Sequence, residues 1–246
     1  MVKNPLIVRL DMLRAPRIVF LLSIAITLSY RGNAQGFSYS RDFPELQRRS
    51  LDKTDRLYYP TLLSRFQAND TTLADSEVLA LLIGYTKDAH YLPYEDTDIS
   101  GRIFRLNATK EFHSALALAD SFLASNPVDQ GALIEKAYAL HKLGKDTDAN
   151  RFLFQFRAIM KAMKYSGDGR SAEGAIFALG PVDGQNFILK GLGAQLGSMG
   201  SGYDKDHHFL DILEAISKDG EDTTTYFFNI DHATLEFREQ LKQIRK

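Results

Sequence analysis

Apolar residues in the middle of the chain recur at the spacing of an α-helix and mark three consecutive amphipathic helices: Phe112 to Ser125, Ala132 to Leu143 and Ala149 to Tyr165. In the third, Ala149, Phe152, Leu153, Phe156, Ile159, Met160 and Met163 form one continuous stripe, and such a stripe needs a partner surface. The first offers Phe112, Ala115, Leu116, Ala119, Phe122 and Leu123, and the second Leu133, Ile134, Ala137 and Leu140. The three helices are therefore expected to bury one another. Asn126-Pro127 stops the first, because proline cannot continue a helix and restricts the residue before it. Asp129 is placed to cap the second, Gly144 to end it in a left-handed conformation, and Asp146 to cap the third.

An offset of 34 residues aligns Leu106 with Leu140, Ala115 with Ala149 and Phe122 with Phe156, with Pro127 at the position that closes a repeat. On these residues the stretch resembles a tetratricopeptide-like helical pair, in which small residues sit where helices approach and large ones fill the gaps. It departs from that pattern at Lys110, where the turn glycine belongs, at Lys161, where the closing proline belongs, and in lacking a third copy after Tyr165. A plain helical bundle is the alternative.

On either side the pattern changes. From Phe37 to Ala89 it is helical with breaks: Phe43-Pro44 opens a short polar helix, Tyr58-Tyr59-Pro60 begins another, and Asp70-Thr71-Thr72 signals a third that carries Leu73, Val78, Leu79, Leu82 and Ile83. Tyr91-Leu92-Pro93-Tyr94 breaks it, and the acidic run Glu95 to Asp98 reads as a solvated loop. After Tyr165 short apolar runs take over. Ala175 to Leu179 and Phe187 to Leu192 flank Gly180-Pro181-Val182-Asp183-Gly184 and read as a hairpin. Gly191 to Gly202 reads as mobile or tightly turned. Phe209 to Ile216 and Thr223 to Ile230 read as a second hairpin, with a helix as the alternative for 209–216, and a charged final helix follows from Ala233 to Ile244 with Leu235, Phe237, Leu241 and Ile244 as its apolar positions.

The expected fold is thus α+β, mostly α: a tetratricopeptide-like helical bundle, then a small antiparallel β-sheet with a C-terminal helix on one face. Residues 35–165 form the helical region, with the repeat-like core at 99–165, and residues 166–246 form the β-rich region.

Residues 1–34 have another character. Lys3, Arg9, Arg14 and Arg17 precede an apolar run from Ile18 to Tyr30, and Gly32-Asn33-Ala34 supplies a small-x-small cleavage site, the pattern of a secretory signal peptide. The run of about 13 residues is short of the ~20 that a spanning helix needs. Its removal takes five of the 30 basic and one of the 31 acidic residues, leaving 25 against 30, a mild acidity that argues against nucleic acid as a partner. Cysteine is absent, which excludes disulfides, thiolate chemistry and an N-terminal lipid-modified cysteine. The expected product is exported to the periplasm or beyond, soluble, and without a membrane span or lipid anchor.

A second resemblance covers nearly the whole of that mature chain. Tyr58-Tyr59-Pro60 with Leu62-Leu63, then Asp70 with Thr72-Leu73, Gly84-Tyr85, Tyr91-x-Pro93-Tyr94, Ser166-Gly167-Asp168-Gly169 and Tyr226-Phe227-Phe228-Asn229 together resemble the family catalogued as domain of unknown function 4919. The resemblance implies an exported protein of Bacteroides-type bacteria and assigns no activity.

Groups with chemical potential are few. Asp204, Asp206, His207 and His208, with Asp211 nearby, hold metal-binding atoms, but adjacent histidines on an extended strand point to opposite faces, so a solvated turn is the plainer reading. Asp168 opens no alternating run of carboxylates, and Gly191-x-Gly193 lacks the rest of a dinucleotide fingerprint. No metal, cofactor or catalytic set is expected. Tyr58, Tyr59, Tyr85, Tyr91 and Tyr94, at helix ends and in a loop, are the candidate ligand- or partner-binding residues together with Asp168, because a tyrosine offers an apolar ring with a polar tip. The competing role for them is packing the N-terminal helices onto the bundle. These features favour a non-catalytic interaction or scaffold protein that holds a peptide or protein partner on its helical surface. The rival class is a glycan- or small-molecule-binding protein, or a hydrolase, with its site where helices meet sheet.

Overall fold

The computed structural model describes residues 36–94 and 98–244, so the signal-like segment and most of the acidic run Glu95 to Asp98 lie outside the described residues. The first part is helical: α1 (Tyr39–Leu51), α2 (Tyr59–Gln67), α3 (Asp75–Tyr85), α4 (Ile99–Ala108), α5 (Phe112–Ser125), α6 (Gln130–Lys142) and α7 (Asp146–Ser166). The second part holds β1 (Ile176–Phe177), α8 (Pro181–Asn186), a π-helical turn (Phe187–Leu192), β2 (Gln195–Tyr203), β3 (Phe209–Ile216), β4 (Thr223–Asn229) and α9 (Asp231–Ile244).

Helix α3 is the most deeply placed element. Every residue from Val78 to Tyr85 is buried, so it has no polar face, as befits a helix surrounded on all sides. It packs against α1, α2 and α7. Gly84 makes this approach possible, since a Cβ there would lie 3.0 Å from the Ser50 side chain and 3.1 Å from Tyr59. Helix α7 joins two groups, touching α3 on one side and α6 on the other, and α4, α5 and α6 complete a row in which α4 also contacts α6. Alanines 115, 119, 132, 139 and 162 are fully buried along these contacts, and their small side chains let the helix backbones come close.

The helix ends follow local chemistry. The Asp129 carboxylate accepts a hydrogen bond from Ala132 N at 2.7 Å and caps α6. Gly144, at φ +72°, closes the same helix, with Lys145 N bonded back to Leu140 O. Asp146 behaves differently from expectation: it lies within the first turn of α7 and its carboxylate pairs with His141 Nδ1 at 2.6 Å instead of capping. Helix α1 starts five residues before Pro44, so the proline falls inside it.

The sheet order is β1-β4-β3-β2. β3 and β4 pair antiparallel, as expected, β2 adds antiparallel to β3, and β1 pairs in parallel with β4, so the sheet is mixed. The first expected hairpin does not form. Pro181 fixes the first turn of a helix, Asp183 accepts a hydrogen bond from Leu179 N at 2.9 Å across that turn, and the chain stays helical to Leu192 with Phe187 and Ile188 buried. The glycine-rich span is likewise no turn beyond Gly193 (φ +65°), because residues 195–203 run as an edge strand with a bulge between Leu196 and Met199. Residues 209–216 are a strand, not a helix. Helix α9 packs on β3, burying His232, Ala233 and Thr234, while Leu235 and Leu241, expected on its buried side, are exposed.

Candidate functional site

The row of helices carries a trough on its surface. Three helices line it with residues at i, i+3, i+4 spacing, which places each set on one face: Phe104, Asn107 and Ala108 from α4, Ile134, Ala137, Tyr138 and His141 from α6, and Asp146, Ala149, Asn150 and Leu153 from α7. Its volume is about 530 Å³. A second depression of about 300 Å³ shares Phe104, Glu135 and Lys190 with the first and reaches Val182, Asn186 and Leu189, so the two join across Lys190. Large apolar side chains stand open here: Phe104 is 51 % exposed, Tyr138 44 % and Leu189 42 %. An exposed apolar cluster in a concavity is a mark of a binding surface.

A polar group sits where the two depressions meet. The Glu135 carboxylate is buried and accepts hydrogen bonds from Lys190 Nζ at 2.8 Å and Asn107 Nδ2 at 2.9 Å. The Lys190 ammonium also lies 4.7 Å from the Phe104 ring centroid. A buried carboxylate without partners would be strongly destabilising, so this triad fixes three side chains against one another at the centre of the trough. Asn107 Oδ1 is buried with no hydrogen-bond partner. At one end His141 and Asp146 form the exposed pair described above.

The tyrosines singled out from sequence lie elsewhere. Tyr85 and Tyr91 are buried; the Tyr85 hydroxyl donates to Asn126 Oδ1 at 2.6 Å and the Tyr91 hydroxyl to Leu179 O. Tyr59 and Tyr85 have ring centroids 6.4 Å apart, Tyr85 and Tyr91 5.7 Å, and Tyr94 packs on Phe237 at 4.7 Å. Tyr58 is half-buried at the start of α2. Tyr85 and Tyr91 border a crevice of about 60 Å³ next to Asp183. Burial pushes the Asp183 carboxyl up to about 6. Asp168 is exposed on the loop after α7, where it accepts a hydrogen bond from Arg170 N at 2.9 Å.

Two other polar groups lie beside the sheet. In the β2–β3 turn, Asp204, Asp206 and His208 bring potential ligand atoms within 4.8 Å of one another, while His207 is exposed and set apart at φ +65°. Asp204 accepts hydrogen bonds from His208 Nδ1 at 2.7 Å, His208 N at 2.8 Å and Asp206 N at 2.9 Å, which hold the turn. Desolvation raises the Asp204 carboxyl, but the bonds from His208 outweigh it and the net shift is downward. At the start of α9, His232 stacks on Phe177 with ring centroids 4.8 Å apart. Its Nδ1 lies 3.2 Å from the Tyr39 hydroxyl, which also accepts from His232 N at 3.0 Å. Desolvation drives His232 down to about 3, with the Leu179 carbonyl opposing, so the imidazole is neutral at physiological pH.

The trough residues Phe104, Asn107, Glu135, Tyr138 and Lys190 were not read from sequence as functional. One signal for them exists: Phe104 and Tyr138 are separated by the same 34 residues that relate Leu106 to Leu140, so equivalent positions on α4 and α6 face the trough with an aromatic ring.

Among the described residues, no helix is long and apolar enough to cross a membrane. Comparison with curated proteins and with solved structures finds no match. A family model does match, over residues 45–238, from the middle of the first helix to the middle of the last. The chain belongs to that family, the domain of unknown function DUF4919.

Proposed function

We propose that this is an exported, non-catalytic interaction or scaffold protein that holds a peptide segment of a protein partner in the trough across α4, α6 and α7. The observation that carries this reading is the exposure of Phe104, Tyr138 and Leu189 around a concavity of about 530 Å³ that continues into a second of about 300 Å³. Peptides bind such surfaces by seating successive apolar side chains in adjoining depressions, and the surfaces that stacked helices form serve this purpose in repeat proteins. The rigid Glu135–Lys190–Asn107 triad adds fixed polar points between the apolar ones, which supplies orientation. Export rests on the charged, apolar and small-residue order of residues 1–34.

The rival reading, a glycan or small-molecule site at the helix–sheet junction, has less support. The crevice beside Tyr91 and Asp183, against the segment that follows β1, has a volume of about 60 Å³, whereas small-molecule sites span roughly 300–1,000 Å³.

Panning a displayed library of random peptides against the purified protein tests the proposal. Enriched sequences should share apolar anchors and lose their enrichment on the Phe104→Ala/Tyr138→Ala double variant. A library that yields nothing, or peptides retained equally by that variant, rejects the trough as a peptide site.

A further inference from the structure

β2 is an edge strand, since the order β1-β4-β3-β2 leaves it paired on one side only. Among the described residues no other segment hydrogen-bonds its outer edge. Free edges are usually guarded by charge, proline or short length, because their unpaired amides and carbonyls invite another strand. β2 has a bulge between Leu196 and Met199, but beyond it Met199 to Tyr203 pairs with β3 in unbroken register. From Ala194 to Tyr203 the chain carries neither a charged residue nor a proline. Met199 is 61 % exposed and Tyr203 59 %.

We infer that this edge pairs with the same edge of a second copy of the chain, antiparallel and centred on Ser201. The choice of partner follows from symmetry. At a two-fold axis the central residue meets its own copy and its neighbours meet other residues of the same strand, so a charge on the strand would be brought close to its own like charge, and β2 carries none. Centring on Ser201 sets Met199 opposite Tyr203 of the copy, and Gly200 opposite Gly202. Residues 199, 201 and 203 share one face of a strand, so both Met–Tyr pairs form on the same side of the axis-spanning sheet. A thioether against an aromatic ring is a favourable contact. It would cover the two most exposed apolar side chains of the strand while the edge amides and carbonyls find partners. The result is one continuous sheet across the two copies.

Because the chain has no cysteine, a single introduced thiol reports on this geometry directly. Ser201 is exposed, so substitution there leaves the core intact. Light scattering on the purified full chain should give the mass of two chains, and Ser201→Glu, which sets like charges across the axis and next to Asp211 on β3, should return it to one with an unchanged circular dichroism spectrum. Ser201→Cys should form a disulfide-linked dimer on mild oxidation, since directly opposed antiparallel residues have the required separation, whereas Lys218→Cys in the β3–β4 turn should not. A wild-type mass of one chain overturns the inference. So does a dimer that survives Ser201→Glu, or equal cross-linking at 201 and 218.

Discussion

Glu135 shows how one residue serves both fold and trough. It is buried on α6, yet its two carboxylate oxygens are each bound by a side chain from another element, Asn107 of α4 and Lys190 of the π-helical turn. Removing the lysine while keeping the acid leaves a buried charge short of a partner, and solvent reaching the Lys190 side softens the loss. Lys190→Met should therefore destabilise the fold by about 1–3 kcal/mol, and adding Glu135→Gln to it should recover part of that, as urea denaturation of both variants would measure. His232 makes a prediction of the opposite kind, because its neutral form is the one that fits. The unfolded chain takes up a proton near pH 6.5, while the folded chain resists until about 3. Within that window the unfolded state binds more protons, so His232 makes the fold less stable as pH falls, by about 1.4 kcal/mol per unit. Asp183 and Asp211, both pushed up to about 6 by burial, run the other way: their contribution is present below the ordinary carboxylate range and lost as pH rises through 6. Comparing wild type with His232→Phe isolates the histidine. The wild type's advantage should shrink steadily from pH 6.5 toward 4, and a constant difference would rule out a neutral buried imidazole.

Helix α6 is bounded by two devices that act independently. Asp129→Ala removes the side-chain acceptor for Ala132 N and should cost about 1 kcal/mol, and Gly144→Ala forces a Cβ into a left-handed backbone for about 1 kcal/mol more; chemical denaturation of the double variant should show the two costs adding. These ends were visible in the sequence because caps depend on a few neighbouring residues. So were the spans of α5, α6 and α7, whose 3.6-residue periodicity is strong. Residues 175–192 were not. Gly180-Pro181 opens a helix as readily as a turn, and the buried Phe187 and Ile188 suit either element. The trough was hidden for a different reason. Ile134, Ala137, Ala149 and Leu153 have the spacing of a helix–helix contact, and a floor under solvent has the same spacing as a floor under another helix. Only the three-dimensional arrangement of α4, α6 and α7 separates those cases. The tyrosines illustrate the converse. Their position at helix ends suggested display, but the Tyr85 and Tyr91 rings pack on each other, the Tyr91 hydroxyl bonds the Leu179 carbonyl, and Tyr94 packs on Phe237 of α9.

At the scale of the whole molecule, α3 anchors one set of helices, α7 links it to the row α4–α6, and the mixed sheet with α9 closes the other side. The wholly buried helix is thus α3, while the row that resembles a repeat supplies the accessible surface. That division leaves α4, α6 and α7 held firmly from behind and open in front, which is the arrangement a preorganised binding surface requires. On the proposed function the trough, not the tyrosine cluster, takes the partner. Fluorescence titration of one library-selected peptide against three proteins tests it most directly. Relative to wild type, Phe104→Ala/Tyr138→Ala should weaken binding by about 2 kcal/mol or more, roughly thirtyfold, as loss of aromatic anchors does, while Tyr58→Ala should leave the affinity unchanged. Equal affinity for wild type and the trough variant, or a loss confined to Tyr58→Ala, would contradict it.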